Sequence, residues 1–244
     1  MALTIPAHCE LCPRRCGADR RVATGRCGAG NTLRAARAAL HRWEEPCISG
    51  EDPERGSGTV FFCGCTLGCV FCQNASISHG GEGKDITPER LAEIFTELQA
   101  AGAYNINLVT PTQYLPWITE ALSLCGGRLT IPVLYNTGGY ERVETLRQLA
   151  GKVQIYLPDL KYYASELSAR YSAAPDYFAV ASLALREMFR QVGAVRFDEN
   201  GILQGGMVVR HLVLPGAHKD SLRLLDWLAG EFSPGEIRMS LMSQ

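Results

Sequence analysis

The chain has 244 residues and a mass of 26.6 kDa, and Lys+Arg 24 against Asp+Glu 25 gives a formal net charge of −1. Hydrophobic residues make up 46% and charged residues 20%, the profile of a globular protein whose core needs no staples to fold. These numbers exclude a disordered or collagen-like chain and a global basic field for nucleic acid or anionic lipid. No apolar run approaches the ~18 residues of a membrane span. Met1 to Cys9 has neither the basic stretch nor the apolar core of a secretory signal, so the expected compartment is the cytoplasm.

Cysteine is the anomaly: Cys9, Cys12, Cys16, Cys27, Cys47, Cys63, Cys65, Cys69, Cys72 and Cys125. In a reducing compartment, thiols clustered this way point to metal or redox chemistry rather than to disulfides. Residues 1–54 are rich in Cys, Arg and Gly and read as a Cys-rich metal-binding extension. Its one periodic stretch, Leu33 to Trp43, predicts a short helix capped by Asn31 or Thr32.

From residue 55 strands and helices alternate. The residues 59–62 predict a buried strand, and Thr87 caps a helix that Pro88 opens and Gly102 ends. Leu91, Ile94, Phe95 and Leu98 fall on one face of it. Then come strand 105–109, helix 112–125, strand 130–135, helix 141–150 and strand 153–157. Helices 164–172 and 176–192, a hairpin at Glu199-Asn200-Gly201, strand 207–214, helix 219–230 and a strand near 236–242 complete the series. About six βα repeats predict an α/β fold, a partial (β/α)6 TIM-like barrel over 55–244 behind the Cys-rich N-terminal extension. Chemistry in such folds sits at the C-terminal ends of the strands.

Cys65, Cys69 and Cys72 follow the first of those strands with C-x3-C-x2-C spacing. One loop with this spacing can wrap three thiolates around a single inorganic cluster. A cubane has four irons, so three ligands leave one iron open to a small molecule, as a catalytic zinc keeps an open position. The residues alone also allow unconnected thiols, or a zinc site that borrows Cys63 or His79. Cys9, Cys12, Cys16 and Cys27 can complete a zinc site or a second iron–sulfur cluster, with Arg14, Arg15, Arg20, Arg21 and Arg26 nearby. Cys47 and Cys63 are further candidates, Cys63 being read as packing, and Cys125 reads as a buried small hydrophobe. Gly80-Gly81-Glu82 reads as a connector, and GRCGAG at 25–30 lacks the flanking strand and helix of a dinucleotide loop.

The segment CTLGCVFCQN resembles the signature loop of the radical S-adenosylmethionine superfamily, with Phe71 at its usual aromatic position. EEPCISG, GSGTVFF, NINLVTPTQY, YNTGGYE, YLPDLKY and VRHLVLPG resemble the branch named after pyruvate formate-lyase-activating proteins. The resemblance implies a 4Fe-4S cluster on Cys65, Cys69 and Cys72 that binds S-adenosylmethionine. It implies reductive cleavage of that cofactor to a 5′-deoxyadenosyl radical, with flavodoxin or ferredoxin as reductant. Phe71 and Gln73 would lie beside the adenine, and Thr110 and Thr112 near the methionine amino group. Asn136, Thr137, Asp159 and Lys161 would serve ribose, carboxylate or a cation, and Arg210 the carboxylate. His211 would face the helices. The substrate would be a glycyl-radical-type protein; a small molecule is the alternative, and a non-catalytic iron–sulfur or zinc module is the rival of another class.

Overall fold

The computed structural model describes residues 4–79 and 82–243. Met1, Gly80, Gly81 and Gln244, which enter the readings above, lie outside the described residues. Six strands run parallel in the order β2 (Gly56–Phe62), β4 (Ala103–Val109), β5 (Val133–Thr137), β6 (Ile155–Pro158), β8 (Leu203–Val213) and β9 (Arg238–Ser243). The sheet does not close, as expected of a partial TIM-like barrel. β1 (Leu33–His41) lies antiparallel on the far side of β2, and β3 (Lys84–Ile86) lies on β1. β7 (Arg196–Phe197) forms the expected hairpin with β8.

β1 corrects the helix expected over Leu33 to Trp43. Ala, Leu and Arg favour a helix intrinsically, but the outer edge of β2 is a row of unpaired amides and carbonyls. Pairing from Ala35↔Phe62 to His41↔Ser57 satisfies them, and tertiary pairing outweighs a propensity of tenths of a kcal/mol per residue. Pro132 delays the start of β5 to Val133, because proline cannot donate to the ladder. The expected 112–125 helix is a 3-10 turn, Thr112–Tyr114, followed by α4 (Leu115–Cys125) with Pro116 in its first turn.

α3 (Pro88–Ala100) starts at Thr87, whose hydroxyl accepts the Arg90 amide, and buries Leu91, Phe95 and Leu98. With α4, α5 (Val143–Arg147), α6 (Ser165–Ser172), α7 (Tyr177–Val192) and α8 (His218–Glu231) it belongs to the helix layer. Cys125 is buried in α4, as its sequence context suggested.

Strand alternation sorts the rest. Val60, Phe62, Ile106, Leu108, Tyr135, Tyr156, Met207 and Val209 join the large core shared with the helices. Leu134, Ile155, Leu157 and Val208 point the other way and pack with Leu203 around Ile48 of α1 (Pro46–Ser49). They form an apolar floor inside the open barrel. Two residues further along three of these strands, Asn136, Asp159 and Arg210 stand above that floor and line a cavity.

Candidate active site

The cavity holds about 570 Å³ at the C-terminal ends of the strands. Cys65, Cys69 and Cys72 form one side, on the loop after β2. The Leu67 amide donates to Cys65 Sγ over 3.4 Å, Ser172 Oγ donates to Cys69 Sγ over 2.9 Å, and Ser78 Oγ lies 3.5 Å from Cys72 Sγ. Burial pushes the Cys65 thiol up, backbone amides of Gly68 and Leu67 oppose this, and the sulfurs of Cys69 and Cys72 raise it again. A bound cation would oppose that rise at Cys65 and favour its thiolate. Donors aimed at the sulfurs, on a loop facing a cavity, fit an iron–sulfur cluster.

Phe71 stands edge-on to Tyr162 and Tyr171 at 6.4 Å from each ring, and Gln73 also lines the cavity. Opposite them, Lys161 Nζ is 2.6 Å from Asp159 Oδ2, and Arg210 Nε donates to Asp159 Oδ1 over 3.0 Å. Arg210 also donates to Asn136 Oδ1 over 2.7 Å and meets Glu44 Oε2 at 3.3 Å. Burial works against the Asp159 carboxylate, but Lys161 and Arg210 more than offset it and hold its pKa low. His211 faces the other way, between the Leu160 carbonyl at 2.6 Å and Ser221 Oγ at 2.8 Å. This is the inside–outside alternation expected of neighbours on β8. Gly139 makes the turn after β5 possible. Its φ is +79°, and a Cβ there would stand 2.1 Å from the Asp159 carbonyl oxygen.

The threonines divide. Thr110 lines the cavity with φ 55°, a conformation rare outside glycine and held by the hydrogen bond its amide donates to the Asn136 carbonyl. Thr112 lies behind the wall, with its hydroxyl given to Glu141 Oε1 over 2.6 Å. Thr137 lines the cavity, but its hydroxyl too is donated to Glu141.

Sequence reasoning missed three carboxylates. Glu44 and Glu45 line the cavity beside His41 and Trp43, and burial raises the Glu44 pKa against the pull of Arg210. Both open the EEPCISG segment, where adjacent acids before a proline were the available signal. Glu141 is fully buried, and its Oε2 has no hydrogen-bond partner among the described residues. Burial raises its pKa to about 7, against the Thr112 and Thr137 hydroxyls. Tyr135, Tyr156 and Cys12 are the titratable groups that sense its charge. Between the ordinary carboxylate value and about 7 the folded chain holds a proton that the unfolded chain has lost. Stability therefore falls as pH rises through that window, by roughly 3 kcal/mol if Glu141 acts alone. Glu141→Gln should flatten this slope in denaturant titrations at pH 5 and pH 8. An unchanged slope would remove Glu141 as its source.

Cys9 and Cys12 are buried, Cys27 is half-buried and Cys16 exposed. Burial pushes the Cys12 thiol up to about 12, against the Arg14 amide, and the sulfurs of Cys27 and Cys9 add to the rise. A Cβ on Gly25 would stand 3.4 Å from Cys16 Sγ and 3.5 Å from Cys27 Sγ, so those two thiols approach one point. Among the described residues, no group of three or more His, Cys, Asp or Glu side chains stands ready-made around one metal ion. Cys63 donates its thiol to the Glu82 carbonyl over 3.0 Å, and Cys47 packs beside the apolar floor. Among the described residues no helix is long and apolar enough to cross a membrane.

Comparison with known proteins agrees with this geometry. The uncharacterized protein MJ0674 of Methanocaldococcus jannaschii is 30% identical over 224 residues, 88% of this chain; the chain spans only 59% of that relative's length. Streptococcus suis SuiB bound to S-adenosylmethionine has the same fold at 17% identity and a TM-score of 0.50, over 73% of this chain and 38% of SuiB. Methylornithine synthase (PylB) matches at 17% identity and TM-score 0.50, over 72% of this chain and 50% of its own. The sequence model of the Radical SAM superfamily matches residues 59–227, from β2 through most of α8 and including all three loop cysteines, and the chain belongs to that superfamily.

Proposed function

We propose that this protein binds a 4Fe-4S cluster through Cys65, Cys69 and Cys72 and cleaves S-adenosylmethionine reductively for hydrogen abstraction. The observation that carries the reading is three thiols with their own hydrogen-bond partners, facing a part-buried cation–anion network across one cavity. When bound, the cluster would supply an open iron for the cofactor and the electron that breaks its sulfonium bond. The chain's residues bind and orient. Lys161 and Arg210 would offer two cations to the cofactor's carboxylate, and Asp159, paired with both, holds them in position. Phe71 and Gln73 flank the loop where an adenine would lie, and Asn136, Thr137 and Thr110 offer polar groups at the strand ends. The apolar floor keeps water from the lower side.

On this reading residues 55–244 are the catalytic partial barrel, and residues 1–54 bring a second centre on Cys9, Cys12, Cys16 and Cys27, zinc or iron–sulfur. Metal binding couples to the folding of the segment that holds it, so these four thiols would close on loading. Flavodoxin or ferredoxin would be the cytoplasmic reductant. The substrate is a glycyl-radical-type protein, as the resemblance to the pyruvate formate-lyase-activating branch implies; a small molecule is the second reading, favoured by the small volume of the cavity, about 570 Å³.

The test is anaerobic reconstitution, dithionite reduction and chromatography for 5′-deoxyadenosine. Its formation, with a cluster EPR spectrum that changes when S-adenosylmethionine is added, is the expected result. A reduced, iron-loaded protein that neither forms it nor changes spectrum would overturn the reading and leave an electron-transfer or zinc-binding module. With cleavage established, labelled glycyl-radical proteins and small molecules would then compete as hydrogen donors.

A further inference from the structure

The cysteine-rich extension touches the cluster loop through two arginines. Arg14, between Cys12 and Cys16 in sequence, donates from Nε to the Thr66 carbonyl over 2.9 Å and from Nη2 to the Leu67 carbonyl over 3.1 Å. Those are the two residues after Cys65. The same guanidinium donates to the Ser172 carbonyl over 2.8 Å and to the Ala173 carbonyl, and Ser172 is the residue whose hydroxyl donates to Cys69 Sγ. Its ring neighbour is Tyr140, 5.2 Å away. Arg20 is 1% exposed. It donates to the Gly30 carbonyl over 2.8 Å and to the Gln113 carbonyl, with Trp117 5.1 Å from its guanidinium. Gln113 in turn donates from Nε2 to the Cys63 and Gly64 carbonyls over 3.0 and 3.1 Å, immediately before Cys65. Main chain meets main chain there as well. A Cβ on Gly64 would stand 2.2 Å from the Cys27 carbonyl oxygen.

We propose that the N-terminal cysteine hook is a clamp on the cluster loop, with Arg14 as a positioning residue behind Cys65 and Arg20, through Gln113, as its counterpart in front. The proposal rests on the reading of Cys9, Cys12, Cys16 and Cys27 as a metal centre. Folding such a segment is otherwise weakly driven, since residues 4–32 contain no helix or strand. A loaded centre would fix residues 12–16 and so the direction of Arg14. Four bonds from one planar guanidinium to carbonyls around Cys65 and Cys69 hold the loop's shape while placing a positive charge beside an anionic cluster.

The test uses the full-length, anaerobically reconstituted protein, with three variants: Arg14→Gln, Arg14→Lys and Cys9→Ser/Cys12→Ser. Metal content is counted, and the site cluster is followed through the EPR change that S-adenosylmethionine induces, which needs an open iron. Loss of that signal to a chelator should be about tenfold faster or more in Arg14→Gln, the factor set by one lost hydrogen bond to a charged group. The spectrum of the remaining cluster should differ from wild type. Arg14→Lys should recover the spectrum, because the charge is kept, and recover the lifetime only in part, because the fork is lost. The double cysteine variant should lose its extra metal and reproduce the Arg14→Gln behaviour. If it loses that metal while the site cluster keeps the wild-type lifetime and spectrum, the clamp is wrong and the metal centre stands. If the wild type carries no metal beyond the site cluster, the metal centre is wrong, and the clamp falls with it whatever Arg14→Gln does.

Discussion

Alanine at Cys65, Cys69 or Cys72 is expected to cut 5′-deoxyadenosine formation by roughly a thousandfold or to below detection, because the three thiolates act as one unit and losing one costs about as much as losing all. The three positions are not equivalent in what remains. Cys65 is held by amides of its own loop, whereas Cys69 takes a hydroxyl from Ser172, on another element. Iron content should fall with activity in all three variants, while far-ultraviolet circular dichroism stays close to wild type, since none of these side chains bridges strands of the sheet. A variant that keeps its iron and cleaves S-adenosylmethionine within a few-fold of wild type would remove that cysteine from the ligand set.

Asp159→Asn carries the second large effect. The carboxylate sits between Lys161 Nζ at 2.6 Å and Arg210 Nε at 3.0 Å, with each side chain about one-sixth exposed. Asparagine keeps the shape and deletes the charge, leaving two cations facing each other. Breaking a buried pair costs about 3–5 kcal/mol, the lower end applying at this degree of exposure. For a chain of this length the melting temperature should drop by roughly 6–12 °C. Because the Asp159 pKa is depressed, the carboxylate's contribution is present above the ordinary value and lost as pH falls through the folded one, so wild type and variant should converge in acid. Adding Lys161→Met to Asp159→Asn should recover part of the loss by removing one uncompensated charge. If the double variant is no more stable than the single one, Lys161 and Asp159 are not coupled.

Much of this was legible in the sequence. The barrel repeats are periodic and punctuated by Pro and Gly, and Thr87 caps α3, so α3, α6, α7 and the β7–β8 hairpin fall where local chemistry puts them. The cysteine spacing and strand alternation likewise locate the loop and turn Arg210 inward and His211 outward. What local pattern cannot supply is pairing between distant segments. Leu33 to Trp43 has helical composition, and only the vacant edge of β2 makes it a strand. Thr112 looks like Thr110 in sequence; its place behind the wall depends on Glu141, 29 residues away. Glu44 shows its role only once β8 brings Arg210 to it. Arg14 and Arg20 look like solvated charges among cysteines, and their carbonyl partners up to 159 residues away exist only in the fold.

The plug of Ile48 against Leu134, Ile155, Leu157, Leu203 and Val208 has a bearing on traffic. A vessel stoppered at its base is filled and emptied from the top. On the proposed function, cofactor and substrate would enter and leave by the rim where Trp43, 90% exposed, and Met242 stand.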